Sequence, residues 1–415
     1  MKILLLTQWY PPEPLRNVGE LASSLQSRGH SIEVLTGFPH YPAGQLYAGY
    51  RRRLWQREQI DGISVIRVPL TLNHRLSLFR RGLKYLSFAL SAAVLGPLLV
   101  QRPDVILVYA TPLTAALPAM LMRYLWGTRV VLHVQDLWPE AVVGTGAKAS
   151  SLPIRWLERI SHAIYRAATA AIVITPGYHE RLAQVGVHPT RIHLVPNWVD
   201  TDLYRPLEYD PDLARQLGFE GHFSIVFAGV VGHAQGLANV LAAAALLRDD
   251  PAMQFVIVGD GADLGRLRNL AEAEALHNVR FVPRQPEALM PAIFALSQVL
   301  LVHLRADSAL NATIPHKVFS YMACGRPVLA AAQGDTAQLV LELSAGLACA
   351  PQPEALAAAA RVMRAMDADA LAEMGRHGRE AVMQNFSRQR LTARIAEILE
   401  LDSSPYPPAA PAPGL

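Results

Sequence analysis

The chain has 415 residues, 51% of them hydrophobic and 17% charged, with a formal net charge of +4. That length is comfortable for two α/β domains, and the composition excludes a disordered chain. A mild basic excess without a dense basic stripe argues against a nucleic-acid partner. Two cysteines, Cys324 and Cys349, give no disulfide framework and no metal quartet, so a reducing, cytoplasmic setting is the default.

Residues 2–7 (KILLLT) read as a strand buried on both faces, too short an apolar run for a signal-peptide core. A Pro-rich loop, Tyr10-Pro11-Pro12-Glu13-Pro14, follows. Val18, Leu21, Ala22 and Leu25 then recur at the helical period, and Gly29 suits the left-handed position that ends a helix. Residues 31–36 (SIEVLT) complete a strand–helix–strand unit. Further strands are predicted at 63–68, 104–109, 129–134, 171–175 and 192–195, with helical stretches between most of them. This is the alternation of a doubly wound parallel sheet. Tyr85–Val100 is an apolar stretch of sixteen residues, short for a membrane span and interrupted by Gly96-Pro97. It reads as a buried domain helix.

Proline and aspartate punctuate 196–206 (PNWVDTDLYRP), and the domain boundary is placed there. The pattern then restarts, with strands at 224–228, 254–258, 279–282, 298–304 and 327–331. The chain so divides into a first domain, 1–200, and a second, 201–378. A final segment, 379–402, reads as one helix over 379–400 that returns to the first domain. Residues 403–415 form a Pro/Ala-rich tail without hydrophobic period, expected to be disordered. Ligands of open α/β sheets sit at the carboxyl ends of the strands, so two such domains suggest two ligands meeting in a cleft.

Three segments could carry chemistry there. Gly229-Val-Val-Gly232-His233-Ala-Gln235-Gly236 follows a strand and opens a helix, where glycines let backbone N–H groups approach a phosphate. A tight turn needing glycine only for packing is the alternative for that segment alone. Ile314 to Val328 (IPHKVFSYMACGRPV) reads as loop, helix, stop and strand. Pro315 suits the first turn, and His316, Lys317 and Ser320 share a polar face that could receive a diphosphate, although the segment alone reads better as a solvated helix face. His133-Val-Gln-Asp136-Leu-Trp-Pro-Glu140 ends a strand of the first domain, which would aim its polar residues into the cleft. A hydrogen-bonded core histidine is the alternative for His133.

Two other patterns mislead. Gly259-Asp-Gly261-Ala-Asp-Leu-Gly265 resembles a dinucleotide fingerprint, but the next strand ends in Pro283-Arg284-Gln285, without an acid for a ribose. Asp-x-Asp occurs at Asp200/Asp202, Asp210/Asp212 and Asp367/Asp369, in linker or helix-start positions where aspartate caps helices. No metal is expected.

Taken in order, Tyr10-Pro-Pro-Glu, Arg28-Gly29-His30, Gly37-Phe-Pro-His-Tyr-Pro-Ala-Gly44, LHVQDLWPE, VPNWVD, the Gly229–Gly236 turn, Val258-Gly-Asp-Gly261 and PHKVFSYMACGRPV resemble family 4 of the glycosyltransferases over roughly residues 1–400. The nearest flavour is that of colanic-acid, capsule and O-antigen transferases, including fucosamine-type ones. The resemblance implies the GT-B fold, two Rossmann-like domains facing a cleft. It also implies a nucleotide-sugar co-substrate, retention of anomeric configuration and no metal or other cofactor. On the donor side it places Gly229, Gly232, His233, Gln235, Gly259, Gly261, Pro315, His316, Lys317 and Ser320, with Arg284 and Gln285 at the base. His133, Asp136 and Glu140 become the catalytic set, with Tyr10, Gly19 and Asn197 on the acceptor side. The acceptor would be a sugar or a polyprenyl-linked glycan of surface-polysaccharide assembly. Many relatives carry two glutamates eight positions apart where this chain has Ala312 and Ser320.

Arg51–Arg53, Arg75, Arg80, Arg81 and Lys84 precede or flank the apolar 85–100 stretch, which suggests peripheral contact with the cytoplasmic face of the inner membrane. The competing readings are a sugar-nucleotide 2-epimerase of the same fold and a catalytically silent scaffold of polysaccharide assembly. An NAD-dependent oxidoreductase is disfavoured, because Gln8-Trp9-Tyr10-Pro11-Pro12 rather than a glycine-rich turn follows the first strand.

Overall fold

The computed structural model describes residues 1–72, 78–143 and 150–401. Arg75 and the 403–415 tail lie outside the described residues. The first sheet has eight strands: β1 (Lys2–Leu6), β2 (Ser31–Gly37), β3 (Gln56–Ile60), β4 (Ile63–Val68), β5 (Val105–Tyr109), β6 (Arg129–Val134), β7 (Ala170–Val173) and β8 (Ile192–Leu194). Their order is β3-β4-β2-β1-β5-β6-β7-β8, parallel except for β3, which pairs antiparallel with β4. Ile3–Leu6 and Val105–Val108 are buried on both faces of the central strands, which is why these segments are unbroken apolar runs. The second sheet has six parallel strands: β9 (Phe223–Val230), β10 (Met253–Asp260), β11 (Val279–Val282), β12 (Val299–His303), β13 (Val328–Ala331) and β14 (Gly346–Cys349), in the order β11-β10-β9-β12-β13-β14.

Each order contains one reversal. In the first sheet the chain winds outward from β1 in one direction and from β5 in the other. In the second sheet the same happens at β9 and β12. A crevice opens at such a switch point, because neighbouring strands send their connections to opposite faces. The residues just past β1, β5, β9 and β12 are therefore the ones the fold offers to ligands.

Several expectations need correction. Residues 379–400 are not one helix. Helices Ala368–Asn385 and Arg388–Glu400 meet at Phe386 and Ser387, where Phe386 packs on Phe319 (4.9 Å between ring centroids) and Ser387 bridges to Val199. The last helix does return to the first domain: Arg129 donates to the Leu399 carbonyl (2.8 Å) and Arg28 to that of Gln389 (3.1 Å). The apolar stretch at 85–100 belongs to a helix, Leu78–Leu99, that runs through Gly96 and Pro97 rather than stopping there. Gly96 lets this helix pack closely on its neighbours: a Cβ there would lie 2.3 Å from the Met122 side chain and 2.9 Å from that of Leu35. Nor is the helix buried all round. Phe88, Ala89 and Ala92 face the sheet, while Leu86, Leu90, Val94 and Leu98 are exposed. Strands β3 and β14 carry no apolar alternation strong enough to be read from sequence.

Candidate active site

The first-domain side is built on the carboxyl ends of β1, β5 and β6. His133, the next-to-last residue of β6, is wholly buried between the edge of Tyr109 (5.2 Å) and the face of Trp198 (6.5 Å). The Gln135 amide donates to its Nε2 at 2.9 Å, which leaves the ring proton on Nδ1, and that buried atom has no partner. Burial pushes its pKa down to about 3, so the ring is neutral at physiological pH. Burial raises the carboxyl of Asp136, against a hydrogen bond from Thr111 that lowers it. Glu140 opens a short helix, Glu140–Val143, and pairs with Arg181 at 3.8 Å.

Of the acceptor-side expectations, Tyr10 is buried and Asn197 leaves a buried Oδ1 without a partner. Gly19 has a packing reason of its own. It lies inside helix Arg16–Ser27, where a Cβ would meet Pro11 at 3.0 Å. Sequence reasoning missed Glu13 and Arg67. The wholly buried Glu13 carboxylate accepts backbone N–H groups from Tyr10 (3.2 Å), His40 (2.9 Å) and Tyr41 (2.8 Å), and so ties two Pro-rich loops together. Burial still raises its pKa to about 7. Arg67, at the end of β4, donates to Glu58, to the Gly37 carbonyl and to the Pro11 carbonyl. The Pro-Pro-Glu triplet was the one available signal for this edge; the partners come from segments 27 and 56 residues away.

The second-domain side is centred on helix His316–Ala323 and the end of β9. Pro315 caps the helix rather than entering it. The helix has no solvated polar face over its length, since Val318 through Ala323 are all buried, Ser320 included. Tyr321 accepts from the Ala228 N–H (2.9 Å) and donates to the Ala228 carbonyl (3.2 Å), which fixes the helix against β9. Lys317 is thereby held over the next residue, Gly229. Its Nζ lies 3.6 Å from the Phe227 ring centroid and would be 2.8 Å from a Cβ on Gly229. That Nζ is buried and has no hydrogen-bond partner, and desolvation lowers its pKa to about 7. An ammonium so placed is held in its charged form more strongly once an anion arrives.

The other donor-side residues divide. Gly232 opens the turn His233–Gln235, and Gly236 closes it in the left-handed region at φ 58°. His233 Nε2 contacts Arg305, and the Gln235 carbonyl accepts from His303 Nδ1 at 2.6 Å. His303, which sequence reasoning also missed, ends β12 with its Nε2 buried and unpartnered. Gly259 and Gly261 serve packing: a Cβ at either would lie about 2 Å from a β9-side carbonyl, 1.9 Å for Gly259 and 2.2 Å for Gly261. Arg284 is exposed, and Gln285 donates to the Pro283 carbonyl of its own loop. His316 is not free for a diphosphate, because its Nε2 donates to the Trp198 carbonyl at 2.7 Å. Ser320 is buried beside the Tyr204 hydroxyl.

Trp198 thus links the two halves, its ring on His133 and its carbonyl on His316. A second latch lies at Ala312, one of the two positions where relatives often hold glutamate. Its carbonyl accepts from Thr175 (2.7 Å), and Asp335 accepts from the Gly177 N–H (2.8 Å). A Cβ on Gly177 would lie 2.6 Å from that of Ala312, so this contact leaves no room for a longer side chain directed at it. Asp210 and Asp367 do cap helices, accepting from the N–H groups of Leu213 and Ala370.

Both halves of the chain match known protein families. Residues 15–198 match the glycosyl transferase 4-like domain, and residues 210–381 match the glycosyl transferases group 1 model. WcaI of Escherichia coli K12, named as a colanic acid biosynthesis glycosyl transferase, is 31% identical over 376 residues, covering 86% of this chain and 90% of its own. WbjE of Pseudomonas aeruginosa, named as a glycosyltransferase, is 27% identical over 75% of this chain and 78% of its own. Among solved structures, Anabaena HepE in complex with UDP and glucose superposes with a TM-score of 0.68 at 18% identity, covering 96% of this chain and 99% of that one. WaaG, a glycosyltransferase involved in lipopolysaccharide biosynthesis, superposes with a TM-score of 0.65 at 17% identity, over 96% of this chain and 100% of its own. With both halves matched in sequence and the paired switch-point sheets in place, the chain belongs to family 4 of the glycosyltransferases and has the GT-B fold.

Proposed function

We propose that the chain moves a sugar from a nucleotide-sugar donor on its second domain to a sugar or polyprenyl-linked glycan on its first, in the assembly of a bacterial surface polysaccharide. The observation that carries this reading is the buried, unpartnered Lys317 ammonium against Gly229. A leaving nucleoside diphosphate gathers negative charge as the glycosidic bond breaks, and a fixed cation in a dry site meets that charge. Lys317 together with the backbone N–H groups of the 229–236 turn would do so without a metal. The names of WcaI and WaaG and the UDP held by HepE support the substrate class. We place His133 nearest the reacting sugar, with Asp136 and Glu140 on the acceptor side and retention as the stereochemical course.

A thermal-shift screen of UDP-, GDP- and dTDP-sugars tests the donor. A ligand at 100 times its Kd stabilises by about 2.7 kcal/mol, which raises Tm by several degrees. Failure of every nucleotide to raise Tm would leave a silent scaffold as the better reading. Turnover of the donor with no acceptor present would mean a 2-epimerase.

The proposal extends to peripheral contact with the cytoplasmic face of the inner membrane. Helices Leu78–Leu99, Ala116–Trp126 and Leu152–Ala167 pack side by side over one face of the first sheet. They expose Leu90, Val94, Leu98, Tyr124, Leu125 and Trp156, and an apolar cavity of about 490 Å³ opens between the last two helices. Lys84, Arg123, Arg155 and Arg159 stand among these side chains, with Glu158 the one acid of the three helices. An apolar face with a basic fringe suits an anionic bilayer, each basic residue contributing about 1 kcal/mol. The double variant Leu90→Glu/Leu98→Glu should lose co-sedimentation with phosphatidylglycerol vesicles while keeping its Tm. Wild-type protein that sediments no better with these than with phosphatidylcholine vesicles would end the idea.

A further inference from the structure

With the diphosphate on Lys317 and the base against the loop after β11, the pentose of the nucleotide lies between the two. Strands β9 and β11 are two places apart in their sheet, about 10 Å. A line of polar side chains runs across that interval. Ser320 follows Lys317 by about one turn of helix His316–Ala323, and its hydroxyl bonds that of Tyr204. The Tyr204 hydroxyl in turn donates to Oε1 of Glu287 at 3.4 Å. Glu287 begins the turn Glu287–Leu289, directly after the loop that carries Arg284 and Gln285. The helix itself brings no carboxylate here, since Ser320 stands where relatives often hold glutamate, and β11 ends without an acid. Glu287 supplies one from a third place.

The surroundings of Glu287 mark it as a carboxylate that faces a ligand. It borders the cleft between the domains, because Arg16 of the first domain reaches the same Oε1 at 3.2 Å. Among the described residues its Oε2 has no partner. The tyrosine beside it is fixed in place: its ring stacks on Phe294 at 6.3 Å, and Arg379 donates to its carbonyl at 3.0 Å. The other acid on this side, Asp260 at the end of β10, is turned back on its own backbone and accepts from the Gly261 N–H at 2.7 Å. A carboxylate with one oxygen free and the other already oriented is an acceptor for paired hydroxyl donors.

We infer that Glu287, oriented by Tyr204, binds the vicinal hydroxyls of a ribose, so that the donor sugar is carried on a ribonucleoside diphosphate rather than on a 2′-deoxyribonucleoside diphosphate. This deepens the transferase reading and rests on it. A ribose brings the carboxylate two hydroxyl donors. A 2′-deoxyribose brings one and leaves the second acceptor position unpaired, and a site built to bond a hydroxyl rejects the ligand that lacks it.

The test measures, on the full chain, the Kd of UDP and GDP and of 2′-deoxy-UDP and 2′-deoxy-GDP. For whichever base binds, the ribonucleotide should bind at least tenfold more tightly than its 2′-deoxy counterpart. Glu287→Ala should weaken the ribonucleotide more than the 2′-deoxy nucleotide and bring their ratio close to one. Tyr204→Phe should lower the ratio part of the way. Lys317→Ala should weaken both members of the pair and leave their ratio unchanged. A Glu287 that serves only the bridge to Arg16 would change Tm and not the ratio. Equal binding of ribonucleotide and 2′-deoxy nucleotide by the wild type, or a preference that survives Glu287→Ala, would overturn this inference and leave the transferase reading standing. Binding of none of the four nucleotides would remove both.

Discussion

Lys317→Ala should weaken binding of the donor's nucleoside diphosphate by about 10- to 100-fold, the 1.5–3 kcal/mol of a hydrogen bond to a charged group, and should slow transfer at least as much. The reason lies in what surrounds the ammonium. It is buried against Phe227 and Gly229 with no acceptor, so the free protein bears the cost of desolvating it. An arriving diphosphate removes that cost and gains a charge-assisted contact. Two consequences separate this from a structural lysine. First, Lys317→Met should raise the Tm of the free protein while abolishing the nucleotide-dependent shift, because an unpaired buried amine is replaced by an apolar group of similar length. Second, binding should be coupled to protonation. Burial holds the free amine near pKa 7, below its ordinary value, and a bound dianion raises it again. Diphosphate affinity should therefore fall as pH rises above 7, up to tenfold per unit, until the pKa of the complex is reached. A pH-independent Kd between 7 and 9, or full activity in Lys317→Ala, would sink the assignment. The sequence alone leaves Lys317→Arg as a partly active variant, since a phosphate accepts either cation. The packing argues otherwise: with Nζ already pressed on Gly229 and Phe227, a guanidinium has no room, and Lys317→Arg should behave like the alanine variant.

Much of this fold is legible because parallel strands buried on both faces are continuous apolar runs. VILVY and QFVIV look like nothing else, and the turns after them are where a doubly wound sheet keeps its ligands. Strand β3, with the sequence QREQI, lacks that signature because it is an antiparallel edge strand, half exposed. The final helix was legible as a helix but not as the second of two, since the break at Phe386 is set by contact with Phe319 and Val199. The site divides along the same line. Lys317 could be read from a local segment, because its neighbours in sequence form the helix that aims it. The roles of His316, Glu13 and Arg67 could not. His316 looked like a partner of the diphosphate, and only the hinge carbonyl of Trp198, 118 residues away, shows where its proton goes. Glu13 accepts from loop backbone, and Arg67 donates to two backbone carbonyls besides the Glu58 carboxylate, and backbone partners leave no trace in residue types.

His133→Ala should lower turnover at least tenfold and leave nucleotide affinity nearly unchanged, because the residue sits on the first domain and the diphosphate on the second. Alanine alone is an ambiguous test. His133 is wholly buried between Tyr109 and Trp198, so its removal opens a cavity next to the segment that joins the domains, and lost activity could follow from lost packing. His133→Phe resolves this. It restores a ring between the two aromatic neighbours and removes both nitrogens. If His133 is a packing element, the phenylalanine variant should recover activity along with Tm. If its nitrogens face the reacting sugar, the phenylalanine variant should regain Tm and remain as slow as alanine. The unpartnered Nδ1 favours the second outcome, since a core histidine of this burial would be expected to have both nitrogens satisfied. The pH profile adds an independent readout. With its pKa near 3, the ring is neutral throughout the working range and cannot serve as a proton-donating imidazolium. Its contribution would be a neutral hydrogen bond, so the wild-type and His133→Phe profiles should have the same shape above pH 5, displaced in height. A kcat limb near pH 6.5 that disappears in His133→Phe would show a titrating general acid or base instead.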